Sequence, residues 1–314
     1  MITREAFTYD SRDEKKTKIH AVKWIPEREK PICVVQIVHG MAEHMERYDE
    51  FARFLAKQGI LVVGNDHLGH GKTVSENDGV YGYFCEQDPA TVAVRDVHRL
   101  KKIIQEQYIG VPYILAGHSM GSLMVRDYLS RYGTGIDGAI LLSTADNGNT
   151  SLNLGKFLAG LQGIFHKQTH QSGFLNAIVF SNYLKRIPVK RTTIDWFTSD
   201  TDVIDKYLED KQCGFTFTIN GFKTVFELSK RCNNKKALSK IPKKLPVLIA
   251  AGTEDPVGNY GVAPQKVYDT YLNLDMTKVQ LKMYKGARHE LLNETTKEKI
   301  YKDLLNWIMA VSNN

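Results

Sequence analysis

The feature of this 314-residue chain that most restricts its fold is a series of short, nearly continuous apolar runs separated by helix-patterned stretches. The runs are Ile32 to Val38, Ile60 to Val63, Tyr113 to Ala116, Ala139 to Leu142, Val247 to Ala251 and Val279 to Tyr284. A strand that is apolar on both faces needs cover on both faces, which is the situation of a parallel sheet with helices packed above and below. In Asp88 to Tyr108 the residues Val97, Leu100, Ile104 and Tyr108 recur at three and four positions, with Arg95, Lys101, Lys102 and Glu106 opposite. That spacing predicts a helix lying on the sheet. Ahead of these runs, Ile2 to Tyr9 and Lys18 to Trp24 read as an antiparallel hairpin around the charged turn Ser11 to Lys16. At the other end, Thr295 and Glu298 predict a capping box for a last helix that buries Ile300, Leu304, Trp307 and Ile308.

The alternation stops after Thr144 and resumes near Pro246. An interruption of that size is too long for a bare loop and must carry structure of its own. It divides the chain into a first core part (1–144), a helical lid insertion (145–234) and a second core part (235–314). One lid helix near Leu152 to Phe165 offers Leu154, Phe157, Leu158, Leu161 and Phe165. A second, near Phe174 to Leu184, offers Leu175, Ile178 and Val179.

Composition narrows the function classes. With 42% hydrophobic and 25% charged residues the chain suits a globular protein, not a disordered or collagenous one. Its longest apolar stretches fall well short of the roughly 18–20 residues that cross a bilayer. Met1 to Lys18 lacks the basic head, apolar stretch and small-residue cleavage site of a secretory signal, so the expected compartment is the cytoplasm. Cys33, Cys85, Cys213 and Cys232 are widely spaced, as expected of buried thiols in a reducing compartment and not of a zinc site or disulfide framework. The formal charge of +7 gathers partly in Lys185, Arg186, Lys190 and Arg191 and in the run Lys230 to Lys244. Without a nucleic-acid-binding motif beside it, this surplus reads as solvated surface, and no nucleic-acid partner is expected.

The chemistry centres on Gly117-His118-Ser119-Met120-Gly121, which follows an apolar strand and precedes the amphipathic run Ser122 to Tyr132. A serine on a tight strand-to-helix turn has its hydroxyl pushed clear of the backbone, and flanking glycines allow close approach of strand and helix. Such a hydroxyl needs a base, oriented in turn by a carboxylate. Both follow later strands: Glu254-Asp255-Pro256 after Val247 to Ala251, and Arg288-His289-Glu290 after Val279 to Tyr284. The chain order Ser119, Asp255, His289 is that of nucleophile, acid and base in α/β-hydrolases. Glu254 is the rival for the acid; the Asp-Pro step favours Asp255. Oxyanion donors are expected from the amides of Met120, after the nucleophile, and Met41, where His39-Gly40-Met41 turns sharply after the first parallel strand. Residues expected to touch substrate are His39, Gly40, His118, Leu158 and Ile178.

The stretch His39-Gly40-Met41-Ala42-Glu43-His44-Met45-Glu46-Arg47-Tyr48 resembles the H-G-x-x-E-H-x-x-R-Y signature of monoacylglycerol lipases and bacterial lysophospholipases. Asn65 to Gly71 is similar to their D-H-x-G-H-G turn, and Arg288 to Glu294 to their R-H-E-L-x-N-E segment. In the lid, Phe197 to Asp200 and Tyr207 to Phe215 resemble the S-x-D and Y-x-x-D-x-x-C-G-F patterns of the bacterial branch. The resemblance implies an α/β-hydrolase fold with a helical lid. It gives the catalytic roles to Ser119, Asp255 and His289, and the oxyanion positions to Met41 and Met120.

The expected reaction is acyl-enzyme hydrolysis of a single-chain lipid ester, a monoacylglycerol or lysophospholipid, without a cofactor. Lid helices and the basic residues at 185–191 are expected to allow peripheral membrane contact. The alternatives are a carboxylesterase for short-chain or aromatic esters, and a ligand-binding receptor on the same fold with little turnover. His67 with His70, and His166 with His170 on a helix face, lack a third ligand, so no metal site is expected. Glu43, His44 and Arg47 read either as exposed charges or as groups that shape the oxyanion loop.

Overall fold

The computed structural model describes residues 2–313. Eight strands form one sheet: β1 (Thr3–Asp10), β2 (Lys18–Ile25), β3 (Val34–Val38), β4 (Leu61–Asn65), β5 (Tyr113–His118), β6 (Gly138–Leu142), β7 (Val247–Gly252) and β8 (Val279–Tyr284). Their order is β1-β2-β4-β3-β5-β6-β7-β8. The opening hairpin is antiparallel, as the two extended segments around the charged turn predict, and β2 also joins β4 antiparallel. From β4 to β8 every pairing is parallel.

Eleven α-helices lie among the described residues. In the first core part they are α1 (Asp49–Lys57), α2 (Gly71–Ser75), α3 (Pro89–Gln107) and α4 (Met120–Tyr132). Between β6 and β7 lie α5 (Asn149–Phe165), α6 (Gly173–Phe180), α7 (Thr201–Glu209), α8 (Ile219–Cys232) and α9 (Lys235–Leu238). After β7 come α10 (Val262–Leu272) and α11 (Lys297–Ser312).

Alternation along the parallel strands feeds two cores. On one face Val34, Val38, Leu115 and Ile249 pack with Val97 and Leu100 of α3, Val125 and Tyr128 of α4 and Val267 of α10. On the other, Val35, Ile37, Ile114 and Leu248 pack with Phe51 and Leu55 of α1 and Ile300, Leu304 and Ile308 of α11. Gln36 is the polar exception in β3, and it is satisfied: its amide donates to the Val97 carbonyl (3.1 Å) and it accepts from the Tyr113 hydroxyl (2.6 Å). The helix α3 starts at Pro89 after an Asp88 cap, matching the spacing read from the sequence.

The predicted stripe of the last helix is buried, but the predicted capping box does not form. The helix begins at Lys297 after Thr296, which makes no side-chain cap. The Thr295 hydroxyl instead lies 3.1 Å from that of Ser199, and Glu298 is exposed. Glu294, just before it, accepts from the Ser199 hydroxyl and from the Arg288 N–H, so this turn ties the insertion to the core.

Within the insertion, α8 packs on the core through Ile219, Phe222 and Leu228, and α5 lies outside it. The apolar residues of α5 mostly point outward: Leu154, Phe157, Leu161 and Phe165 are 41–80% exposed, while Leu152 and Ala159 are buried. The helix ends at Phe165, so His166 and His170 do not share a helix face; their rings stack instead at 4.3 Å beyond its end. No helix among the described residues is long and apolar enough to cross a membrane.

Candidate active site

Ser119 is the single residue between the end of β5 and the start of α4, with φ 52° and ψ −117°. A residue with a Cβ is strained there, by about 1–3 kcal/mol in general, and the surrounding packing holds it. Two glycines make that packing possible. A Cβ on Gly121 would lie 1.9 Å from the Val38 carbonyl oxygen, and one on Gly117 would lie 2.5 Å from that of Gly121. The Ser119 N–H donates to the Leu142 carbonyl (3.0 Å), and its own carbonyl accepts from the Ser122 hydroxyl (2.6 Å). Met120 opens α4, so its N–H belongs to the helix's first turn, which has no acceptor within the helix.

Parallel strands bring their C-terminal ends to one edge. There Asp255, beyond β7, is wholly buried, and Oδ1 lies 3.0 Å from Nδ1 of His289, beyond β8. The same oxygen accepts from the Val257 N–H (2.9 Å). Glu254, the rival acid, is exposed. The Ser143 hydroxyl donates to the His289 carbonyl at 2.6 Å, and the Trp196 ring lies 5.3 Å from the imidazole. A carboxylate on Nδ1 fixes the tautomer that carries hydrogen there and leaves Nε2 as the basic nitrogen.

Ser119 and His289 share the wall of a cavity of about 280 Å³. The core contributes Met41, Glu43, His118, Met120, Leu123 and Val257 to it. The insertion contributes Leu152, Val179, Phe180, Trp196, Phe197, Tyr207, Phe215, Val225 and Phe226. Of the five residues expected to touch substrate, His118 alone is on this wall. His39 is buried against His67, with ring centres 4.0 Å apart. A Cβ on Gly40 would meet Glu43, Leu158 packs on the core, and Ile178 is 45% exposed.

The sequence reading left Glu43, His44 and Arg47 open between surface and site; all three are buried or half-buried, Glu43 and Arg47 within one polar network and His44 in a separate pair with Asp210. One Glu43 oxygen accepts from the Gly40 N–H (2.5 Å), the Tyr48 hydroxyl (2.8 Å) and His118 Nδ1 (3.0 Å). Its other oxygen accepts from Arg47 (2.8 Å), whose guanidinium also pairs with both oxygens of Glu290 (2.5 and 2.6 Å). Burial by itself would raise the Glu43 carboxyl, but the hydrogen bond and charge of His118 and the charge of Arg47 outweigh it and hold the group well below its ordinary range. For His118 burial works downward, and the Glu43 hydrogen bond and charge overcome it, so the imidazole is raised above its usual value.

The histidines behind the Gly40–Ala42 loop behave oppositely. Burial pushes His67 down to about 3, helped by the charge of His70, and His70 to about 4, helped by that of His44; burial and the charges of His67 and His70 also put His39 well below its ordinary value. Their bonds suit neutral rings: His39 Nδ1 donates to the Gly40 carbonyl (2.8 Å), and His39 Nε2 accepts from the His67 N–H (3.1 Å). The four cysteines are free and buried. Cys213 lies near His44 and Asp210, with possible ligand atoms within 4.8 Å of one another. His44 Nε2 is already paired with Asp210 (2.7 Å), and burial raises the Cys213 thiol far from the thiolate that metal binding requires.

The family model Hydrolase_4, described as serine aminopeptidase, S33, matches residues 29–296. The chain belongs to the Hydrolase_4 family. It is similar to a monoglyceride lipase homolog of Monkeypox virus, 28% identical over 283 residues that cover 88% of this chain and 90% of that one. It is also similar to the monoglyceride lipase of Mus musculus, 29% identical over 268 residues, 84% of this chain and 77% of the relative. Among solved structures, a highly thermostable carboxyl esterase from Bacillus coagulans, in complex with glycerol, superimposes with a TM-score of 0.90 at 28% identity, over 99% of this chain and all of that one. This Hydrolase_4 chain is an α/β-hydrolase and a carboxylic ester hydrolase.

What the sequence reading missed in this Hydrolase_4 site is which insertion residues line the wall, Val179 and Phe180 among them and not Leu158 or Ile178, and the pairing of Arg47 with Glu290. Tyr207 and Glu290 both stood in recognisable motifs, but spacing along the chain carries no information about which of them meets the Gly40–Ala42 loop.

Proposed function

We propose that this chain hydrolyses carboxylic esters through an acyl-enzyme on Ser119. The observation that best supports this is the strained Ser119 backbone on a cavity wall shared with His289, whose Nδ1 is 3.0 Å from the buried Asp255. His289 Nε2 takes the Ser119 proton as Oγ attacks the ester carbonyl, and Asp255 stabilises the resulting imidazolium. The Met41 and Met120 amides receive the oxyanion. The imidazolium then protonates the leaving alcohol, and a water molecule activated by His289 releases the acid from Ser119. The reaction so written needs no cofactor.

The substrate class we propose is a lipid-derived ester with one acyl chain, such as a monoacylglycerol or lysophospholipid. The mainly apolar surface that the insertion lends the cavity supports it, as do the relatives' names. A chain entering such a wall gains roughly 0.8 kcal/mol per buried methylene, about fourfold in kcat/KM. The compactness of the cavity, near the lower end of ligand-pocket sizes, favours a second reading, a carboxylesterase for short acyl chains. The outward apolar face of α5 supports peripheral contact with a lipid surface, from which a single-chain ester would be collected.

Release assays on glycerol, glycerophosphocholine and p-nitrophenol esters of matched chain length separate these readings. A lipid hydrolase gives kcat/KM that climbs about fourfold per methylene into the long-chain range, with glycerol or glycerophosphocholine esters preferred. A short-chain esterase turns over early in the series. Binding of esters without turnover would contradict both, as would activity that survives in Ser119→Ala.

A further inference from the structure

The oxyanion loop is held from two sides, and one of them is the insertion. Ala42 has φ +54°, a backbone conformation that residues with a Cβ rarely adopt and that needs support from outside. Its carbonyl accepts two hydrogen bonds from the insertion, one from the Tyr207 hydroxyl at 2.9 Å and one from the Gly214 N–H at 3.0 Å. The Gly214 N–H also lies 3.0 Å from the Tyr207 oxygen, so this hydroxyl donates to Ala42 and accepts from Gly214. Tyr207 is buried, with the Arg47 guanidinium 4.7 Å from its ring centre. Gly214 has φ +68°, where glycine carries no steric cost. On the core side Gly40 is fixed by its N–H bond to Glu43. Met41 lies between these two anchored residues.

We infer that Tyr207, with the Gly214 amide, positions the oxyanion loop: seating of the insertion on the Ala42 carbonyl aims the Met41 N–H, so the insertion completes the catalytic centre as well as walling the cavity. This rests on the proposed reading of Ser119 as nucleophile and the Met41 amide as oxyanion donor. Tyr207 is a positioning residue, since both hydrogen-bonding capacities of its hydroxyl are spent within the protein. Its effect therefore belongs to the transition state and not to ground-state binding.

The test is Tyr207→Phe, which deletes the hydroxyl and keeps the ring. It is assayed on p-nitrophenyl butyrate and titrated with two inhibitors of equal chain length. An alkyl trifluoromethyl ketone adds Ser119 Oγ to its carbonyl carbon; the C=O bond becomes a C–O⁻ oxyanion, and the serine proton passes to His289. The matching methyl ketone remains planar. The inference predicts a fall of about tenfold in kcat with KM within about twofold. It predicts a similar loss of affinity for the trifluoromethyl ketone and none for the methyl ketone. Adding Ala42→Gly, which reaches the same backbone conformation freely, should recover at least about threefold of the lost kcat.

A folded Tyr207→Phe with wild-type kcat and trifluoromethyl ketone affinity would overturn the inference. So would equal losses for both ketones without recovery by Ala42→Gly. Ser119→Ala separates the two levels. If it is inactive while Tyr207→Phe is unaffected, the positioning role alone fails; if it still turns over ester, the nucleophile reading fails and takes this inference with it.

Discussion

Glu43 shows how much one buried carboxylate can organise. It gathers the Gly40 N–H of the proposed oxyanion loop, a tyrosine hydroxyl, an arginine and the histidine that precedes Ser119. Its depressed carboxyl stabilises the fold above the ordinary carboxylate range, near pH 4.3, and that contribution is lost as pH falls through the lower folded value. His118 is raised, so its contribution is complete below about pH 6.5 and is lost as pH rises through the higher folded value. The pair is therefore most stabilising in the mildly acidic window between the two. Glu43→Gln should return the His118 imidazole to below about 6.5 in an NMR titration and cost about 2–3 kcal/mol of unfolding free energy near pH 6. An unchanged His118 titration would refute this electrostatic account. The sequence left these groups undecided because the other partner of Arg47 is Glu290, 243 residues away.

At the scale of elements, periodicity worked where a helix meets the sheet and failed where tertiary contacts take over. The stripe in α11 is buried as its spacing predicts, and so are Val97, Leu100 and Ile104 of α3; Tyr108 is instead the half-buried C-cap, and Lys101, expected on the opposite side, is buried as well. The first turn of α11 is shifted because the Glu294–Thr295 segment is engaged by Ser199, a contact no local pattern encodes. The insertion was the least legible element: its apolar residues could equally have anchored it, and on α5 most are exposed. That exposure makes the proposed lipid contact measurable. The double substitution Phe157→Ser and Phe165→Ser removes two large exposed apolar side chains and should weaken sedimentation with phosphatidylglycerol vesicles by more than about tenfold. Hydrolysis of dissolved p-nitrophenyl butyrate should stay within about twofold. Of the four basic residues at 185–191, Arg186 lies over the Tyr260 ring and Arg191 pairs with Asp205, so Lys185 and Lys190 are the better placed to meet anionic headgroups. Vesicle binding unaffected by the double substitution would remove the α5 surface from consideration.

For the whole molecule, the parallel sheet explains why distant residues could be placed from sequence at all. A parallel strand ends at the same edge as its neighbours, so residues just beyond β5, β7 and β8 must assemble there whatever their separation along the chain. Chain order and strand context were enough to pair His289 with Asp255. The cavity was not legible in the same way. Phe180, Trp196 and Phe226 reach its wall through packing of the insertion on the core, which no period in the sequence describes. Whether these parts make an activated serine is decided most directly by fluorophosphonate labelling followed by peptide mass mapping. The account predicts one adduct per chain, on Ser119, formed at least about a hundredfold more slowly in His289→Ala. Labelling at another residue, or equally fast labelling of Ser119 without the imidazole, would contradict it.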